Sequence, residues 1–166
     1  MTEPAIDADL ETKAKILAIL EENRIMSIAT ARSDGWPHVT MVGFVHDDLA
    51  LYFVVARDSQ KFTNIARDPR VSIAVGHDQS AHIRGLSIAA RAAEVLDIQE
   101  VLRLNASVRE RYPEHAVFAP REALSAVMRA TPSLISVIDM SKGPGHPELV
   151  TVSNQTSVTR VADPLS

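Results

Sequence analysis

The alternation of apolar and polar positions changes period several times along the chain, and these changes delimit its elements. From Leu10 to Asn23, Leu10, Ala14, Leu17 and Leu20 share one stripe while Glu11, Lys13, Lys15, Glu21 and Glu22 mostly face away, which predicts an amphipathic helix over residues 9–23. After Asn23 the period becomes two. In RIMSIATA, Ile25, Ser27 and Ala29 alternate against Met26, Ile28 and Thr30, as in a strand covered on both faces. Asp34-Gly35 marks a hairpin turn, PHVTMVGFV predicts a second strand, and His46-Asp47-Asp48 a second turn before a third strand in LALYFVVA. Connections this short require antiparallel neighbours, so the three runs are expected to form a meander.

Further along, Ser59 stands at an N-cap position, with a helix predicted from Gln60 to about Arg67, a stop at Pro69 and a fourth strand from Val71 to Val75. AHIRGLSIAARAAEV reads as a long fifth strand, although its alanines also permit a helix. Asp97 and Glu100 have the spacing of a capping box, opening a helix through about Arg109 that Tyr112-Pro113 ends. A further helical piece is expected in REALSAVMRA, and after Thr131-Pro132 a strand in SLISVIDM. Many antiparallel strands with helices inserted late indicate an α+β fold, an antiparallel barrel of six or more strands with peripheral helices. The expected organisation is one domain over 1–166 with a C-terminal strand or tail extension, its last residues, DPLS, disordered.

At 166 residues, 46% of them hydrophobic and 23% charged, the chain is the size of one soluble domain. It contains no cysteine, which removes disulfides, iron–sulfur clusters, thiolate zinc sites and thiol catalysis together. A net charge of −4 gives no general attraction for nucleic acid, so a bound phosphate must be captured locally. The start, MTEPAIDADLE, has neither a basic beginning nor an apolar stretch, and no apolar run approaches the roughly 20 residues of a membrane span, so a cytoplasmic protein without membrane contact is expected. His46 and His77 flank turn-like aspartates and are expected at the surface. His82 and His115 lack a paired ligand spacing, and no metal site is expected. Arg103, Arg109 and Arg111 read as a solvated helix face.

Chemistry concentrates at Asp58-Ser59-Gln60-Lys61. A helix N-terminus presents unpaired N–H groups and partial positive charge, and a hydroxyl and a lysine in its first turn add two phosphate contacts. The commoner role of such residues is a plain cap at Ser59 and a solvated Lys61, and Asp58 must point away from any phosphate. The wider context adds to this. Residues 34–75, DGWPHVTMVGFVHDDLALYFVVARDSQKFTNIARDPRVSIAV, carry a D-G-x-P-H turn, a hairpin, a strand ending before S-x-K, and a helix closing with D-P-R-V. This string resembles the core signature of the pyridoxamine 5′-phosphate oxidase-like family.

The resemblance implies a split β-barrel that binds flavin mononucleotide (FMN), forms a homodimer with its cofactor cleft between subunits, and acts as an oxidoreductase on a small molecule. It places the cofactor against His38, Val39, Thr40 and Met41 of the second strand, Val54 and Val55 of the third, and Ser59, Gln60 and Lys61 at the helix. Where family members have arginines, this chain has His38 or Val39 and Gln60, so phosphate rests mainly on Lys61, hydroxyls and backbone N–H groups. His146, in SKGPGHPELV, resembles a K-G-x-G-H run near the C-terminus of relatives, which implies a catalytic imidazole over the flavin, a connector loop being the alternative. Trp36 either stacks near the ring or covers the barrel end. The ending ELVTVSNQTSVTRVADPLS lacks the tryptophan and histidine of the vitamin enzyme, which separates the chain from that enzyme. Two other readings keep the fold: a deazaflavin cofactor in place of FMN, or a non-catalytic flavin- or haem-binding protein. A homodimer also follows from LALYFVVA and VSIAV, whose apolar faces exceed what one small barrel hides.

Overall fold

The computed structural model describes residues 3–79, 82–111, 113–114, 118, 124–140 and 147–161. In chain order the elements are α1 (Glu3–Glu22), β1 (Ile25–Ala31), β2 (Pro37–Gly43), β3 (Val45–Asp47), β4 (Ala50–Ala56), α2 (Gln60–Arg67), β5 (Arg70–Gln79), β6 (His82–Glu94), α3 (Ile98–Arg111), β7 (Ser125–Asp139), β8 (Glu148–Ser153) and β9 (Ser157–Arg160). The strands form one antiparallel sheet in the order β2-β1-β5-β6-β7-β4-β3, with β8 added on β7 and β9 on β8. The α+β split-barrel architecture read from the sequence is the one observed.

The expected meander is corrected. PHVTMVGFV is divided between two strands: β2 ends at Gly43 and β3 begins at Val45, with Phe44 between them, its side chain buried and its N–H donating to the Arg24 carbonyl at 3.0 Å. β2 pairs with β1, β3 with β4, and β5, β6 and β7 lie between the two hairpins. The two end strands of the path are thus consecutive in the chain, so the sheet curls back on itself without closing by hydrogen bonds.

The helix expected in REALSAVMRA is also corrected: Ser125 to Ala130 open β7, which continues through Pro132, while residues 121–123 lie outside the described residues. Ala126, Met128 and Ala130 enter the barrel core and Val127 a second cluster, so burial on both faces overrides the helical preference of alanine and methionine. Pro132 is accommodated at an irregularity where Ala89 faces Leu134 and Ala90 faces Pro132. The Asp97 cap forms, its carboxylate accepting from the Gln99 N–H at 2.9 Å. Glu100 does not complete the box, because it accepts instead from Tyr52 and Arg129.

The barrel is filled by Met26, Ile28, Leu51, Phe53, Val71, Ile73, Ile88 and Ile135, each buried, at about 1.5–3 kcal/mol per large side chain removed from water. Ile16, Ile19 and Leu20 of α1 join this core, whereas Leu10, expected on the same stripe, is exposed. A smaller cluster packs Val101, Leu104 and Val108 of α3 on Ala50, Tyr52 and Val127. At the β5–β6 hairpin, Gly76 faces Gly85, and a Cβ on Gly76 would lie 2.6 Å from the Arg84 carbonyl oxygen. Glu148, the first residue of β8, holds the C-terminal hairpin to α1 by accepting from Thr12 and Arg160 at 2.8 Å and Lys15 at 3.0 Å.

Candidate functional site

Local sequence builds the start of α2. Ser59 is extended (φ −78°, ψ 150°), and its Oγ accepts from the Phe62 N–H at 3.2 Å while donating to the Ala56 carbonyl at 2.6 Å. Both capacities of this hydroxyl are therefore committed to the cap. Gln60 turns its amide along the helix, Nε2 donating to Asn64 Oδ1 at 2.8 Å. Arg57, just upstream, forms an ion pair with Glu94 and stacks 5.6 Å from the Phe62 ring centre. Lys61 is half-buried, and burial lowers its pKa from the ordinary lysine value of 10.5. Among the described residues its ammonium has no hydrogen bond or ion pair to offset this desolvation.

A chain of hydrogen bonds leads from α2 into the barrel. Asn64, 1% exposed, donates through Nδ2 to Thr30 Oγ1 at 3.0 Å, and the Thr30 hydroxyl donates to the His38 carbonyl at 3.4 Å. Thr30 faces His38 across the β1–β2 ladder, and Ile28 faces Thr40. His38 Nδ1 and Thr40 Oγ1 are both buried and have no hydrogen-bond partner among the described residues. A buried polar atom left in this state costs about 1–3 kcal/mol, so a group able to exchange hydrogen bonds with both would be stabilised on this strand.

The expected cofactor residues divide by the period of their strands. His38 and Thr40 face inward, while Val39 and Met41 are 60% and 73% exposed on the other face. Val55 is buried in the barrel core and Val54 points the opposite way, 39% exposed. Of the expected helix residues, Gln60 alone is linked by hydrogen bonds to His38, through Asn64 and Thr30, while Ser59 bonds within the cap. β2 is the end strand of the sheet, so a ligand lying along its free edge can meet both faces and the unpaired backbone groups between them. Thr30 and Asn64 were not identified from sequence. The available signal was a polar residue on the buried side of α2, next to Ile65.

The outward face of β1, β5 and β6 carries a groove of about 590 Å³ floored by Ala29, Ala31 and Ala89. Arg70 and Arg91 face each other across it. Asp68 holds Arg70 at 2.7 Å, and that guanidinium keeps the carboxyl well below its usual range. Trp36, 71% exposed, stands at the turn beside this face. Among the histidines, His46 corrects the surface expectation. It is 7% exposed, and its ring joins β3 to α1 through Glu21 Oε2 at 3.0 Å and the Asp48 carbonyl at 2.9 Å. His146 and His115, like the terminal DPLS, lie outside the described residues. Among the described residues no helix is long and apolar enough to cross a membrane.

Residues 12–139 match the family model described as pyridoxamine 5′-phosphate oxidase. General stress protein 26 of Bacillus subtilis is 32% identical over 68 residues, 41% of this chain and 48% of that protein, so the match spans about half the relative's length. Two crystal structures share the fold. A FAD-binding protein from Mesorhizobium loti is 22% identical with a TM-score of 0.59, covering 77% of this chain and 94% of that one. HutZ, the haem storage protein of Vibrio cholerae, is 21% identical with a TM-score of 0.60, covering 72% and 88%.

Proposed function

The chain belongs to the pyridoxamine 5′-phosphate oxidase family, and from that footing we propose that residues 1–166 form one FMN-binding domain that works, as a homodimer, as a flavin-dependent oxidoreductase on a small molecule. One observation carries the reading. The first turn of α2 carries a half-buried Lys61 with no partner among the described residues, and the same helix is tied through Asn64 and Thr30 to the His38 carbonyl of β2, a strand with two buried polar atoms, His38 Nδ1 and Thr40 Oγ1, that have no partner among the described residues.

These groups fit a phosphorylated, hydroxyl-rich ligand. Lys61 and the α2 N-terminus offer charge and N–H groups to a phosphate, and the Thr40 hydroxyl and His38 ring can each exchange a hydrogen bond with a sugar-like chain. The bound flavin supplies the redox chemistry, and the protein contributes position, charge and shelter from water. Lys61 holds the anionic end, β2 orients the chain, and His146 is assigned the role of proton donor or positioner at the ring. The FAD-binding neighbour supports a flavin ligand. A second copy covering the outward face of β1 and β2 would bury Ile25, Trp36, Val39 and Met41, which are 55–73% exposed in the single chain.

The test is reconstitution with FMN followed by a visible spectrum and stopped-flow reduction and reoxidation in the wild type and His146→Ala. The expected result is one flavin per chain, reducible by a nicotinamide or chemical donor, with His146→Ala altering turnover more than affinity. A protein that retains no flavin contradicts the proposal. Haem binding is the second reading, supported by the HutZ fold and by the open His38 Nδ1, a nitrogen able to ligate iron. A Soret band after haem addition, with no flavin retained, would decide for it.

A further inference from the structure

We infer that Asn64 is a positioning residue: its buried amide sets the placement of Lys61 relative to the His38–Thr40 strand, and with it the preference for a phosphorylated over an unphosphorylated flavin. The inference rests on the flavin reading above.

The hydrogen bonds have one direction. Gln60 donates to Asn64 at 2.8 Å, Asn64 to Thr30 at 3.0 Å, and Thr30 to the His38 carbonyl at 3.4 Å. An amide offers an acceptor and donors on opposite sides, so Asn64 bridges helix and strand with no change of polarity along the run. The relay starts at Gln60, next in sequence to Lys61, and ends at the backbone carbonyl of His38, whose ring Nδ1 has no partner among the described residues. The helix that carries Lys61 and the strand that carries the His38 ring are therefore tied to each other by one internal relay.

Packing alone does not require an amide here. Asn64 is 1% exposed beside Ile65, where leucine would fill similar space without a polar group to satisfy. What the amide adds is a fixed distance and orientation between α2 and the β1–β2 hairpin. A ligand spanning both ends gains from that distance being preset, because misplacement of one end by an ångström is costly for a two-point contact. A ligand engaging only β2 gains nothing from it.

The experiment compares FMN with riboflavin, which lacks the phosphate, by flavin fluorescence titration, together with the melting temperature of each variant. Asn64→Ala and Thr30→Val should each weaken FMN about tenfold or more while riboflavin changes by less than about threefold. Gln60→Ala, a change at the exposed end of the relay, should reduce the same ratio to a smaller degree without loss of folding. Thr30→Ser, which keeps the hydroxyl, should restore the wild-type ratio. A preference unchanged in Thr30→Val and Gln60→Ala, or equal losses for both ligands, would reduce Asn64 to a packing residue. If the wild type binds neither flavin, the flavin reading itself fails and this inference falls with it.

Discussion

Glu148→Gln should loosen the C-terminal hairpin from α1 by an amount readable from the geometry. The Glu148 carboxylate accepts from Thr12 Oγ1 and Arg160 at 2.8 Å and from Lys15 at 3.0 Å, and its side chain is 31% exposed. Burial pushes its pKa up, but hydrogen bonds from Lys15 and Thr12 and the charge of Arg160 outweigh it, and the net shift is downward. A fully buried charge-assisted hydrogen bond contributes about 1.5–3 kcal/mol and an exposed ion pair about 0–1, so three contacts at one-third exposure sum to about 2 kcal/mol once glutamine has kept one acceptor. At this chain length that is roughly 4–8 °C in melting temperature. Because the folded pKa lies below the unfolded one, the stabilisation is complete above the ordinary carboxylate value of 4.5 and disappears as pH falls through the lowered folded value. Thermal unfolding followed by circular dichroism should therefore show a constant gap between wild type and mutant near neutrality that closes in acid. A gap below about 1 °C at pH 7, or one that persists in acid, would refute the reasoning.

Three further outcomes are expected. Tyr52, pushed up to about 12 by burial and by the hydrogen bond it donates to Glu100, should ionise far later than a free phenol in an ultraviolet pH titration, and Tyr52→Phe should remove that late step. Phe53→Ala, at 0% exposure in the barrel core, should cost about 3–5 kcal/mol in urea denaturation, and a cost under 1 kcal/mol would mean the core closes around the hole. Met41→Asp, on a residue 73% exposed, should leave folding intact and convert the proposed dimer to monomer in light scattering, whereas an unchanged dimer would place the interface elsewhere.

The parts of the fold legible in sequence were those set by local signals. α2 runs over the expected Gln60–Arg67 because a serine cap and a proline stop act within a few residues. β6 follows its alternation despite its alanines. What the sequence concealed depended on distant partners. The first half of β7 reads as a helix until sheet neighbours cover both its faces, and Phe44, between β2 and β3, carries no local turn signal. His46 looked like a turn residue because nothing nearby in sequence announces that Glu21 of α1 packs against it. In the site, Lys61 could be singled out from its place in the helix, whereas Asn64 becomes significant only once Thr30 and His38 are seen at its other end.

The most direct test of the flavin-phosphate site is the change in affinity for FMN and for riboflavin caused by Lys61→Ala, measured by fluorescence titration at fixed salt. If Lys61 holds the phosphate through its charge, FMN binding should weaken by about 1.5–3 kcal/mol, roughly tenfold to a hundredfold, while riboflavin loses little. Equal losses for the two ligands, or no loss for FMN, would contradict it and move the phosphate elsewhere.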